Sequence, residues 1–473
     1  MPAQIQIINH RQFAWLIASL LSGGGLISIQ HELIRLGRID AWLTYLFPGL
    51  YALLIGFVLT QLARRFPEKH LFEITTIVFG RWIGTCANLL ILVHLWMVLM
   101  RDLRAFGKFI GTILLPNTPQ EILVLLFVLL LAFYGRTSVE VVGRVNDLFF
   151  PFFFVLLLSM PFLLSNELDT QLIRPALTVK PVEYFYANVL GIGWFGDILF
   201  VGAFLHTIWS SKQIRSAFRH GTLIATFLLT LSLLLQVLVL GPVIPGHMVY
   251  PNYSLVQHIH ITDFLDRVDL FILSIWYPIT ACKDILLYLA MLTGIASLLK
   301  ERDYTLINSP VSLFLLLTTL LAFDSAAEVF SFGNYSSPVI ILGYQPLLLA
   351  ALLLFMRKYP VRELRLDQAQ SGTPSPGKQQ EQPAQGRSDA TTSSRFISRI
   401  ECIRHSTWIT AGNVLLLLSA CLVFLGIWLG MTYAVVGTLS GIGYAICLVG
   451  AVVTSHMEMR AAKKFVVRHS SQT

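Results

Sequence analysis

The chain is 473 residues long, 55% hydrophobic and only 13% charged, with a formal net charge of +8 and a mean hydropathy of +0.70. This composition excludes an ordinary soluble domain and makes the bilayer the solvent in which the chain must be read. The surplus Lys and Arg stand at the ends of apolar runs instead of forming a patch interleaved with aromatics, so they argue for membrane topology and against a nucleic-acid partner.

Ten mostly polar residues lead into the first apolar run with no small-residue cleavage pattern behind it, so that run is expected to stay in the mature protein. Alternating barrel-type segments are absent, which leaves helices as the spanning element. Apolar runs read against breakers predict ten spans, at about 11–34, 41–62, 82–108, 120–138, 146–165, 184–209, 218–241, 266–299, 309–323 and 338–356. One set of loops holds Arg64, Arg65, Lys69 and Arg81, then Lys212, Arg215 and Arg219, then Arg357, Lys358, Arg362 and Arg365, whereas the loop between spans seven and eight has only Arg267. That asymmetry predicts a cytoplasmic N-terminus.

The first ten spans form an expected domain 1–356. A stretch rich in Gln, Ser, Pro, Gly and Thr follows, and residues 357–406 are expected to be a disordered cytoplasmic linker because they cannot bury a core. Residues 407–473 predict a transmembrane hairpin, Trp408–Leu429 and Tyr433–Ser455, with both ends inside and a basic tail at Arg460, Lys463 and Lys464. Gly426 with Gly430 and Gly437 with Gly441 would let its helices approach closely.

Two spans carry breaks. Span one contains Ser22-Gly23-Gly24-Gly25, and mid-helix glycines cost about 1 kcal/mol each relative to alanine. Span six contains Gly191-Ile192-Gly193-Trp194-Phe195-Gly196-Asp197 near its centre. Close packing would explain either run alone, but both open the first helix of a five-helix half. Interrupted segments in corresponding positions of two halves point to a binding site built from discontinuous helices in inverted repeats. Freed backbone groups need partners in an oil-like medium, and an amino acid zwitterion supplies them at both signs.

Asp197 reads as the N-cap of the second half of span six and as an intramembrane carboxylate able to take a proton or an amine. Lys283 and Asp284 sit inside an apolar run in span eight, where each charge costs about 3 kcal/mol and needs a partner, water or an interface to snorkel to. Neighbours on a helix point about 100° apart and pair poorly, so Asp197 is the partner expected for Lys283. Arg101, Asp102 and Arg104 read as a solvated end of span three, and His94 and His206 receive no role. Pro151, Pro161 and Pro278 read as kinks. The five cysteines are scattered without ligand spacing, and no phosphate loop, nucleophile elbow or HExxH occurs, so a disulfide framework, a metal, a cofactor and an enzymatic role are not expected.

Stretches in a fixed order carry a family resemblance: Arg11-Gln12-Phe13, Asp40-Ala41-Trp42-Leu43, Leu103-Arg104 to Phe109, Leu114 to Pro119, Val139 to Arg144, Trp194 to Asp197, and Phe264 to Asp269 running through Ile275-Trp276 to Lys283. The chain resembles the spore germination receptor B-subunit family of the amino acid, polyamine and organocation transporter superfamily. The resemblance implies an all-α, LeuT-like five-plus-five inverted-repeat bundle of ten transmembrane helices, here with the C-terminal hairpin added. It implies a small amino acid germinant bound in the spore inner membrane, with an A subunit and a C-subunit lipoprotein as partners. Carried onto this sequence, the family's ligand contacts fall on Gly23, Gly24 and Gly25, on Gly193, Trp194, Phe195, Gly196 and Asp197, and on Ile279 and Thr280. Lys283 matches a basic family position and is read as a built-in substitute for a sodium ion, whereas Asp284 stands where an apolar residue is usual. Active transport of an amino acid with protons or sodium, and an assembly scaffold with a vestigial site, remain as the other readings. The linker and hairpin lie outside the family pattern.

Overall fold

The computed structural model describes residues 8–26, 29–208, 210–259, 268–301, 303–361 and 405–470. The expected linker 357–406 and the stretch Phe264–Arg267 therefore lie almost wholly outside the described residues. Asn9 starts the first helix, α1 (His10–Gly25), with a capping box in which Gln12 Oε1 accepts the Asn9 N–H at 3.1 Å. The span breaks after Gly25, and α2 (Ile29–Gly37) with its 3-10 continuation Arg38–Leu43 leaves at 70° to α1. Asp40 and Trp42, expected to open span two, instead close this second half of span one, because the chain turns into α3 (Leu46–Arg65) only after Leu43.

A short α4 (Leu71–Phe79) leads to α5 (Arg81–Ile113), α6 (Gln120–Tyr134) and α7 (Val139–Leu163), which complete the first half. The second half begins with α8 (Pro181–Phe195), which tightens at Gly196 into a 3-10 helix reaching Thr207. Then follow α9 (Ser211–Leu240), α10 (Pro251–Gln257), α11 (Val268–Leu299) and α12 (Thr305–Leu321). The last span is α13 (Ala326–Ser331), a π-turn Phe332–Ser336 and α14 (Ser337–Phe355). The hairpin is α15 (His405–Gly430) and α16 (Ala434–Ser470).

Among the described residues, nine helical stretches are long and apolar enough to cross a bilayer, the bent pair makes a tenth, and α6 and α12 are shorter apolar helices. Large apolar side chains stand outward, with Trp82 84%, Phe162 79% and Trp428 78% exposed, which fits hydrocarbon as the outer solvent. The protein is an integral membrane protein.

The helix contacts repeat between the halves. α1 packs on α9 and α7, and its counterpart α8 with the 3-10 segment packs on α3 and α14. α5 lies on α6 as α11 lies on α12, and α6 and α12 meet each other. This is the five-plus-five pattern expected from the sequence, with the broken span one and the continuous span six at its centre. The close approach of α1 and α9 depends on Gly221, where a Cβ would collide with the Ala14 carbonyl and come within 2.8 Å of Ile17. The prolines at 151, 161 and 278 lie inside α7 and α11 as expected.

Candidate functional site

Four elements converge where span one breaks: the end of α1, the junction of α8 with its 3-10 continuation, the middle of α5 and the middle of α11. The π-turn before α14 lies against them. Gly24 faces α11 so closely that a Cβ there would collide with Lys283 Nζ and approach the Trp194 ring at 3.1 Å. Any side chain at 24 would have to displace the Lys283 ammonium from its place and crowd the Trp194 ring. Gly23 lies against Thr280, whose hydroxyl donates to the Gly23 carbonyl at 3.4 Å, and beside the Ile279 carbonyl. Gly25 instead packs on Leu229 of α9.

Around Gly24 stands a buried cluster of two cations and three carboxylates. Lys283 Nζ donates to Asp102 Oδ2 at 2.6 Å. Arg101 Nε donates to Asp102 Oδ1 at 2.9 Å, and Arg101 Nη2 to Asp197 Oδ2 at 3.2 Å. The guanidinium lies over the Trp194 ring at 4.0 Å, a stacking that the planar ion favours. Its Nη1 donates to Ser337 Oγ at 3.2 Å. Gly333 in the π-turn leaves room for this arrangement, since a Cβ there would stand 3.0 Å from Arg101 Cδ. π-turns often mark functional sites.

The expected partnership of Lys283 with Asp197 is corrected: Lys283 takes Asp102, and Asp197 takes Arg101. Arg101, Asp102 and Arg104 are buried and not a solvated helix end, because α5 continues for three more turns to Ile113 and places them in mid-helix. Asp197 does not cap a restarted helix: α8 runs unbroken through Gly191 and Gly193, and no side-chain cap bond begins the 3-10 segment. Gly193 and Gly196 serve close packing, against Pro338 and Ile341 of α14, while Gln345 Nε2 donates to the Gly196 carbonyl at 3.1 Å. Phe195 turns toward Tyr45, ring centroids 5.7 Å apart, and not toward Gly24.

Three carboxylates against two cations leave buried oxygens unpartnered. Asp284 accepts no hydrogen bond at either oxygen and lies 3.8 Å from Lys283 Nζ, and Asp197 Oδ1 and the Trp194 N–H are also without hydrogen bonds. Unsatisfied buried polar groups are costly, so their convergence marks a place adapted for something other than stability. The cluster offers a guanidinium and an ammonium to an anion and free carboxylate oxygens to a cation. Arg101 and Asp102 were legible as paired charges within an apolar run, the same signal that drew attention to Lys283. Ser337 and Gly333 carry no comparable signal. His94, given no role, donates or accepts at Tyr344 Oη over 2.8 Å, and His206 meets His70 edge-on with ring centroids 5.8 Å apart.

At the end of the bundle that carries Arg64, Arg65 and Lys69, a cavity of about 1630 Å³ including its open mouth is lined by Lys69, His70, Glu73, His206 and Lys300 and reaches Phe204 and Leu289. Burial pushes the His70 imidazole, on the loop before α4, down to about 4, with Glu73 opposing that shift.

A family model described as "Spore germination protein" matches residues 7–326. The putative spore germination protein YfkT of Bacillus subtilis (strain 168) is 23% identical over 312 residues, which cover 65% of this chain and 84% of that protein. Spore germination protein B2 of the same organism is 22% identical, covering 57% and 73%, and spore germination protein KB is 22% identical, covering 64% and 82%. Among solved structures, a manganese transporter of Eremococcus coleocola aligns with a TM-score of 0.49 at 13% identity over 97% of both chains. Mhp1, a nucleobase-cation-symport-1 family transporter, aligns with a TM-score of 0.46 at 11% identity over 95% of this chain and 93% of that one.

Proposed function

Because the chain belongs to the Spore_permease family of spore germination proteins, we propose that it is the B subunit of a nutrient germinant receptor, which binds a small amino acid and so triggers germination. The observation that carries this reading is the meeting of the broken span one with span six and α11 at Gly24, Trp194 and Lys283, inside a buried charged cluster. A zwitterion complements that cluster: its carboxylate suits Arg101, and its ammonium suits the free oxygens of Asp197 and Asp284. Of the ligand contacts expected from the resemblance, we keep Gly23, Gly24, Trp194, Asp197, Ile279 and Thr280, which lie around the break in span one, whereas Gly25, Gly193, Phe195 and Gly196 pack on α9, α14 and Tyr45. Lys283 stands in for a bound cation.

The membrane is the spore inner membrane, with both termini cytoplasmic, and the partners are the receptor A subunit and the C-subunit lipoprotein. Spore germination proteins B2, KB and A2 among the relatives support a multi-subunit receptor. Binding works by favouring one arrangement of spans one and six over another, and a partner reads the difference.

A second reading, active amino acid transport, draws support from the cavity at the basic end, which would serve as an exit. Purified protein in liposomes separates the two. Saturable binding of labelled amino acids without flux fits the receptor, and accumulation against a gradient fits the transporter. Loss of binding in Gly24→Leu, with protein abundance retained, is the expected result for both. Unchanged binding in that variant would remove the site from this position.

A further inference from the structure

The match to the family ends at residue 326, yet α16 packs along α9 of the bundle, and α15 lies against α16 and touches the bundle at separate points. At the basic end, Arg219 of α9 pairs with Glu458 of α16 at 3.1 Å and donates to the Ile409 carbonyl of α15 at 3.2 Å. Next to it His220 Nδ1 meets Ser455 Oγ at 2.8 Å. Higher up, Phe424 packs on Phe47, ring centroids 5.5 Å apart.

At the opposite end the hairpin grips a joint between spans one and six. Asp40, at the end of span one, accepts the N–H groups of Leu177, Thr178 and Val179, the latter two at 2.9 and 3.0 Å, just ahead of α8. Leu177 is buried and held at φ +58°, a strained conformation for a branched side chain. Its side chain fills the space above Gly426, its carbonyl lies against Gly430, and the Ala176 carbonyl lies against Gly437. Trp42 lies over Gly441, where a Cβ would stand 3.2 Å from its ring, and meets Tyr444 with tilted rings, centroids 5.8 Å apart. Gly426, Gly430 and Gly437 are thus the seat for the joint, and any side chain on these three would push it out, whereas Gly441 at the edge has room for one.

We propose that the hairpin is a built-in strap: anchored to α9 by Arg219 and Glu458, it holds the Asp40–Leu177 joint seated, so spans one and six move at that end only when the joint unseats. Ligand response then depends on the fraction of molecules in which it has done so. Leu177 and the hairpin glycines take no part in the ligand site itself, so the strap acts on the equilibrium and not on contacts with ligand.

A reversible lock tests this in the full chain. An ideal Cβ at Gly441 lies 3.7 Å from Ala176 Cβ, within the Cβ separation of about 3.5–4.5 Å that a disulfide needs. Spores carrying Ala176→Cys with Gly441→Cys should respond to a mixture of amino acids at least about tenfold more weakly once oxidised, and regain the response on reduction. A cross-linked protein that germinates as well as its reduced form overturns the strap.

Hydrogen exchange on purified protein in liposomes, without ligand, keeps the test independent of the germinant reading. The oxidised pair should slow exchange not only at 176–179 but also across 29–43 and 181–195. Slowing confined to 176–179 would overturn the proposal. Leu177→Gly, which relieves the strained φ and empties the seat without a clash, should speed exchange over the same two segments at undiminished abundance, and unchanged exchange there would equally overturn it.

Discussion

Replacing Lys283 by Met tests whether its ammonium fills the position of a cation. The ammonium lies 2.6 Å from Asp102 Oδ2, and at an effective dielectric constant of about 20 opposite charges at that distance attract by about 6 kcal/mol. Desolvation offsets much of this, and removing one partner of a buried pair costs about 3–5 kcal/mol. The lower end applies here, because Arg101 still serves Asp102 at 2.9 Å. Met retains the stem's length and apolar volume, so the loss is chiefly of charge, leaving three buried carboxylates with one cation. Thermal unfolding in nanodiscs should show Lys283→Met destabilised by about 3 kcal/mol in choline chloride. Sodium should then restore stability selectively in the variant, by about 2.7 kcal/mol when present at a hundred times its dissociation constant. Asp102→Asn added to Lys283→Met should cost less than the sum of the two single changes. An unfolding temperature equal to the parent's in choline, or equal sodium shifts in parent and variant, would refute the reasoning.

Asp284 accepts no hydrogen bond while fully buried, so Asp284→Asn should raise thermal stability by about 1–3 kcal/mol and weaken ligand binding in the same preparation; a lowered stability would show that the carboxylate is paired. Arg219→Ala, which strands the buried Glu458, should cost about 3–5 kcal/mol, and Arg219→Met with Glu458→Met should recover most of it in a double-mutant cycle read by thermal unfolding. His70 titrates in the folded protein at about 4 against an ordinary 6.5, held down by burial. A depressed histidine contributes stability that is fully present above pH 6.5 and is lost as pH falls toward 4. Unfolding measured across that range should therefore fall by about 2–3 kcal/mol more in the parent than in His70→Gln; parallel curves would remove His70 from the account.

The apolar runs determined the membrane as solvent, the helices as the only spanning element and, within a few residues, most of the twelve segments, because length and uncharged composition are local properties. The glycine run after Ser22 likewise located the break in span one, since backbone entropy acts residue by residue. At span six the same local signal misled: Gly193 and Gly196 are there because α14 lies against them, and only the neighbour's position distinguishes a packing glycine from a breaking one.

The charges follow the same division. Insertion cost identified Lys283 and Asp284 as needing partners, but which carboxylate meets which cation depends on where α5, α8 and α11 stand around α1. Arg101 and Asp102 read as a solvated helix end because a charged pair after an apolar run has that appearance unless the length of the helix is known. The hairpin's glycines were legible as close-packing positions, yet their occupant is the Ala176–Leu177 carbonyl pair from a loop 250 residues away, an association that no local pattern encodes. Sequence alone determined what each segment must do with its apolar surface and its charge. Tertiary structure decided who answers that need, because a partner is a matter of position in three dimensions.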